Sequence, residues 1–174
     1  MALSIRRPMP QRQDQYSRRG TEFHGWIEKR FGVSTLFDDE DLEPRDAFEP
    51  DQTLNELKEK WLASEWAERT PYAVEVPFET VLAGVLVRGR IDAVYSFQEK
   101  DGERFEVVDW KTGSKKLGGA ATTQLAVYRL AWAQLHGVEI SKVSAAFHYV
   151  PTGITDRPAD LLDREGLISL LEKY

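Results

Sequence analysis

Residues 103–113 read ERFEVVDWKTG, an apolar run that ends in an acid, an indole, a lysine and a Thr-Gly stop. Phe105, Val107 and Val108 are strand formers, and the turn residues Lys100-Asp101-Gly102 precede them, so this stretch is a β-strand. Side chains on a strand alternate faces, which puts Asp109 and Lys111 on one face and Trp110 on the other. Working upstream, the turn at 100–102 joins it to GVLVRGRIDAVYSF (84–97), which carries Asp92 within an apolar stretch. A short link near Ala83–Gly84 joins that strand to YAVEVPFET (72–80). Downstream, the pattern predicts a long helix over 119–136, a fourth strand KVSAAFHYV (142–150) and a last amphipathic piece, LLDREGLISLLEKY (161–174). Two helices precede the strands. Thr21 caps one running to Phe31, with Phe23, Ile27 and Phe31 on one face, and Asp51 caps another with the stripe Leu54, Leu57, Trp61, Leu62 and Trp66. The expected fold class is α/β, a central sheet of about four strands flanked by helices.

Composition sets the boundaries. The chain has 174 residues, enough for one domain, and 41% of them are hydrophobic, enough for a core. The absence of cysteine excludes disulfide scaffolds, cysteine zinc sites, iron–sulfur clusters and thiol catalysis. Three histidines, His24, His136 and His148, are too scattered for a histidine-built zinc site. No apolar run reaches a membrane span, and MALSIRRPMP lacks a signal core, so the chain reads as cytoplasmic.

A net charge of -6 argues against a nucleic-acid partner until its distribution is considered. Residues 37–51, FDDEDLEPRDAFEPD, hold eight acids and one base; without that -7 the rest of the chain stands at +1. Like charges and two prolines make this stretch an exposed acidic connector in preference to a docking site. Residues 1–19 carry Arg6, Arg7, Arg12, Arg18 and Arg19. That basic lead-in has two readings, phosphate contact or a disordered segment ahead of a domain over 20–174.

The chemistry gathers where strands meet. The turn at 100–102 makes the strands of Asp92 and Asp109 neighbours. Two carboxylates about 4 Å apart repel by roughly 4 kcal/mol at an effective dielectric of 20. Protonation of one acid or a cation between them relieves that, and oxygen ligands suit Mg²⁺ or Mn²⁺. Lys111 can then stabilise phosphate charge or orient water. The bland readings are an ion pair of Asp92 with Arg88 or Arg90 and a surface pair of Asp109 with Lys111. Gln124 and Tyr128 share a face of the long helix, four residues apart, as boundary residues or as donors to phosphate. His24, with Glu28 one turn on, is a structural histidine or a candidate ligand.

Taken together, His24 in GTEFHGWIE, Asp92 in GRIDAV, Asp109-Trp110-Lys111 in VVDWKTG, and Gln124 with Tyr128 in QLAVYRLAW resemble the RecB-type branch of the PD-(D/E)xK nuclease superfamily. The resemblance covers residues 20–153 and is closest to the domain that ends bacterial RecB, AddAB and AdnAB (UvrD-like) helicase–nucleases. It implies a restriction-endonuclease-like core and a Mg²⁺ or Mn²⁺ site made by His24, Asp92, Asp109 and the carbonyl of Trp110. Asp92, Asp109, Lys111, Gln124 and Tyr128 would be the catalytic set, and Glu75 stands where members often carry an acid. It further implies DNA as substrate, single strand or duplex ends, and exonuclease rather than endonuclease action in double-strand break processing and recombinational repair. The implied partners are a helicase motor in the same parent chain and a second helicase–nuclease subunit, in the bacterial cytoplasm. Unlike some relatives, the chain has no cysteine for an iron–sulfur cluster, and no GxxxxGK[ST] for ATP. The alternative is a nuclease-fold module that grips DNA or braces a partner without cutting; a third reading uses the carboxylates as general acid and base on a sugar or ester.

Overall fold

The computed structural model describes residues 15–31, 53–114 and 118–173. The acidic connector at 37–51, with Asp51, and residues 1–14 of the basic lead-in lie outside the described residues, whereas Arg18 and Arg19 fall within helix α1. The elements are α1 (Gln15–Arg30), α2 (Leu54–Leu62), β1 (Ala73–Leu82), β2 (Val85–Glu99), β3 (Gly102–Lys111), α3 (Gly119–His136), β4 (Val143–Tyr149), β5 (Ile154–Asp156) and α4 (Arg164–Leu171). The sheet order is β1-β2-β3-β4-β5. β3 and β4 are parallel, joined through α3, and the other neighbours are antiparallel. This is the mixed α/β sheet expected, with one strand more: β5 is three residues long, too short to show a period of two.

The turns fix the register. Ala83 and Gly84 both have positive φ, 50° and 76°, the backbone of a two-residue hairpin turn, and Leu82 pairs with Val85 across it. Gly102 follows the second turn with φ 115°, and Glu99 pairs with Gly102. α3 runs over 119–136 as the pattern predicted and stops at Gly137, whose left-handed φ of 65° lets the N–H groups of Gly137 and Val138 reach back to Gln134 and Ala133.

Both faces of the sheet are covered. α3 packs on one face, where Leu125 and Trp132 meet Val94, Phe105, Val107 and Phe147. α1 and α2 cover the other, where Phe23, Ile27, Leu57 and Trp61 meet Tyr95, Val108 and Trp110. Burial on both sides explains why β3 reads as a continuous apolar run.

Two helix starts differ from expectation. Thr21 lies inside α1, which is already helical at Gln15, because Ser and Thr mark a cap only where no helix-competent residues precede them. The cap of α2 is Thr53, whose side chain accepts from the Glu56 N–H while the Glu56 carboxylate accepts from the Thr53 N–H. α2 also ends sooner than its stripe: Leu62 is exposed, and Trp66 sits beyond the helix yet is fully buried.

Candidate functional site

Register places three acids in a row. Val74 pairs with Ala93 and Val76 with Ile91, so Glu75 stands opposite Asp92; Ala93 pairs with Val108, so Asp92 stands opposite Asp109. The strands are distorted at this row. Glu75 has φ 49°, a left-handed backbone that costs a residue with a Cβ on the order of 1–3 kcal/mol. Side-chain parity breaks there as well: Val74 and Ala93 pack toward α1 and α2, whereas Val76 and Ile91, each two residues away, pack toward α3. The β1–β2 ribbon therefore changes faces at Glu75 and Asp92.

Helix α1 adds a nitrogen. His24 Nδ1 is 3.4 Å from Asp92 Oδ1 and 4.0 Å from Glu75 Oε1. One ligand atom from each of His24, Glu75 and Asp92 lies within 4.8 Å of the others. One imidazole nitrogen and two carboxylate oxygens, largely withdrawn from solvent, suit a hard or borderline divalent cation. The like charges of Glu75 and Asp92 supply the electrostatic reason for one to bind. His24 is held by its neighbours, with Phe23 edge-on at 6.0 Å and Ile27 fully packed one turn on, so its helix cannot rotate without opening the core.

Each carboxylate is oriented by a second contact. Asp92 Oδ2 accepts the backbone N–H of Trp110 at 2.8 Å, which turns Oδ1 toward His24 and ties β2 to β3 beside Asp109. Glu75 Oε2 accepts from Arg90 Nη1 at 3.3 Å, and both side chains are at least nine-tenths buried. Arg88, the other base considered for Asp92, pairs instead with exposed Glu79 at 2.8 Å.

Asp109 and Lys111 form their own pair. Lys111 Nζ is 3.1 Å from Asp109 Oδ2, and their side chains are only 8% and 7% exposed, so this is not a solvated surface bridge. Phe147, which pairs with Asp109 across β3–β4, lies under the ammonium at 5.6 Å. Asp109 is not among the three residues whose donors converge. Trp110 buries its ring among Trp61, Trp66 and Tyr95.

Of the α3 pair, Tyr128 stacks edge-on against Phe78 at 5.5 Å, and Gln124 is half-buried. The glycine of GRID has a packing reason. A Cβ on Gly89 would come within 2.8 Å of two Phe78 ring carbons and 3.5 Å of Tyr128, so only glycine lets the Phe78–Tyr128 pair lie on β2 three residues before Asp92.

Glu75, which the resemblance marks only as a position where members often carry an acid, supplies a donor to the cluster. The signal for it was available: a two-residue turn at 83–84 sets position 75 opposite position 92. Buried Glu28, one turn from His24, has a carboxylate oxygen with no hydrogen-bond partner and is outside the converging set.

A profile of the PD-(D/E)XK nuclease superfamily matches residues 2–166. Two similar proteins are the Gene 69 protein of Mycobacterium phage D29, 41% identical over 91 residues, and the Gene 69 protein of Mycobacterium phage L5, 38% identical over 99. The aligned stretches cover 52% and 55% of this chain but only 31% and 32% of those relatives. The match over nearly the whole chain shows that it belongs to the PD-(D/E)XK nuclease superfamily. No helix among the described residues is long and apolar enough to cross a membrane.

Proposed function

We propose that this member of the PD-(D/E)XK nuclease superfamily hydrolyses DNA phosphodiesters at the row Glu75–Asp92–Asp109, with Mg²⁺ or Mn²⁺ as cofactor. The observation that carries the reading is the convergence of His24, Glu75 and Asp92 beside the buried Asp109–Lys111 pair. His24, Asp92 and Glu75 would hold the ion, with Asp109 and the Trp110 carbonyl completing its ligands. Bound there, a divalent ion supplies charge neutralisation at phosphate and a more acidic water.

The chain's own groups do the rest. Asp92 divides its oxygens between the Trp110 N–H and the cluster, so its ligand oxygen is aimed by the strand below it. Arg90 fixes Glu75 against the repulsion of Asp92. Asp109 sets the position of Lys111, whose ammonium can donate to a phosphate oxygen and offset the charge that develops there. Water attacks phosphorus in line and gives up a proton to solvent, and the bond to the 3′ oxygen breaks on the opposite side as that oxygen takes a proton from water. Gln124 and Tyr128 would contact the strand from α3, with Tyr128 anchored on Phe78.

The finer reading is a RecB-type module, acting as an exonuclease on strand ends during double-strand break repair in the bacterial cytoplasm, fed by a helicase motor and braced by a second subunit. The order His24, Asp92, Asp109-Trp110-Lys111, Gln124, Tyr128 supports it. The test is digestion of end-labelled single- and double-stranded DNA with Mg²⁺, Mn²⁺ or EDTA. Lys111→Ala and Asp109→Asn are expected to slow cleavage by at least about a hundredfold, the loss typical of removing one group that stabilises developing charge. Equal rates in all three proteins would sink the site assignment, and cleavage that survives EDTA would sink the metal.

A further inference from the structure

A second built site lies at the opposite end of the sheet. The first half of β3, the start of β4, the 3-10 turn Ile140–Lys142 and the chain after β5 enclose a cavity of roughly 350 Å³. Phe105 on its wall is four residues from Asp109, roughly 13 Å along an extended strand. Arg104, Arg129, Lys142 and Arg157 line it, with Glu99 the one acid in the wall.

Three of these cations are fixed by carboxylates. Arg104 Nε is 2.8 Å from Glu99 and its Nη2 3.1 Å from Asp101, whose pKa the two bases hold down at about 2. Lys142 Nζ is 2.7 Å from the same Asp101 oxygen. Arg157 grips Glu106 with two hydrogen bonds, 2.9 and 3.1 Å, and reaches Glu65 at 3.5 Å. Asp101, Glu106 and Glu65 orient these heads but do not line the cavity.

Arg129 differs. Its Nε and Nη2 donate to the backbone carbonyls of Val143 and Ile140, at 2.6 and 3.2 Å, and no carboxylate among the described residues hydrogen-bonds it. Burial lowers its pKa, which the charge of Asp163 offsets only in part. Asp163 acts on it through charge alone, so the guanidinium fork keeps N–H donors to give to an anion. Phe105 and Leu161 add apolar lining, and Phe97, which pairs with Arg104 across β2–β3 and shares its face of the sheet, is 41% exposed.

We infer that this cavity binds the phosphate of a nucleotide, with Arg129, Lys142 and Arg104 on the anion and Phe97 against the base. The chemistry is that of a phosphate carried on a flat ring, and it has two sources: a free mononucleotide or a nucleotide of a DNA strand running away from the cutting site. Cations from separate elements line one pocket and can each donate to a phosphate oxygen, and an exposed aromatic face accepts any base. The inference does not rest on cleavage.

The experiment is calorimetric titration of the full chain in EDTA with inorganic phosphate, thymidine monophosphate and a short oligothymidylate. Thymidine monophosphate is expected to bind more tightly than phosphate. Lys142→Gln and Arg129→Gln should each weaken it about tenfold, the equivalent of one charge-assisted hydrogen bond. Arg129→Lys, which keeps the charge if the guanidinium's carbonyl contacts prove needed for folding, should bind within severalfold of wild type. Binding of the oligonucleotide alone assigns the strand as source, and binding of the mononucleotide assigns the free ligand. No binding of any of the three, or binding lost in Lys111→Ala and kept in Lys142→Gln, would overturn the inference. Cleavage and this binding are read separately, so either can fail without the other.

Discussion

His148 should make the protein acid-labile, by an amount that its surroundings set. It is fully buried on β4, ringed by Trp66 at 6.3 Å and Trp110 at 5.8 Å, and its Nδ1 is 3.0 Å from Thr155 Oγ1. That hydroxyl already donates to Glu65 and accepts from Trp66 Nε1, which leaves it a lone pair for an Nδ1–H. Neutral His148 therefore carries its proton on Nδ1, and its buried Nε2 has no hydrogen-bond partner among the described residues. Protonating Nε2 would put a donor without an acceptor into an aromatic pocket. Burial accordingly lowers the His148 pKa from 6.5 to about 4, with Glu65 opposing the shift and Arg157 adding to it.

Because the folded pKa is the lower one, the unfolded chain takes up the proton first, and stability falls as pH drops from about 6.5 towards 4. Linkage gives a loss of about 2 kcal/mol at pH 5 and about 3 kcal/mol below pH 4. Urea unfolding of wild type and His148→Gln at pH 7.5 and pH 5 isolates this from the carboxylates, which both proteins share. The pH-dependent part should be about 2 kcal/mol smaller in the variant. Equal losses in both proteins would refute the assignment of a neutral buried imidazole.

Two further outcomes test the site and its support. Gly89→Ala must push Phe78 off Tyr128 and should cost about 1–3 kcal/mol in urea unfolding, as overpacking does; a change below about 0.5 kcal/mol would show that the ring pair yields freely. Glu75→Gln should weaken Mn²⁺ binding in the absence of DNA by at least about tenfold, and an unchanged affinity would leave Glu75 only as the ion partner of Arg90.

Much of the fold was legible because it is local. The turns at 83–84 and 100–102, the stop at Gly137 and the apolar periods of β1–β4 and α3 act over a few residues, so order and type could be read from them. The failures were local signals overruled by neighbours: Thr21, a good cap in isolation, sits in a helix that starts earlier, and β5 pairs only because β4 offers an edge. That Asp92, Asp109 and Lys111 stand on neighbouring strands was readable from alternation and turn position. The turn at 83–84 sets Glu75 opposite Asp92, but where its carboxylate turns depends on a left-handed φ that strand alternation does not anticipate.

Chemical identity was thus written in the sequence: which acids, which lysine, and no cysteine with which to build a cluster. Only the tertiary structure decided that His24, separated by fifty residues of chain from Glu75, meets Asp92 at 3.4 Å, and that Arg90 steadies Glu75. Spacing along the chain carries contacts within a turn or hairpin, whereas these depend on how α1 seats its apolar face on the sheet. The same holds for the basic cavity, whose four cations come from β3, α3, the turn before β4 and the chain after β5. Their charges are visible in the sequence, but their convergence exists only once those elements are packed.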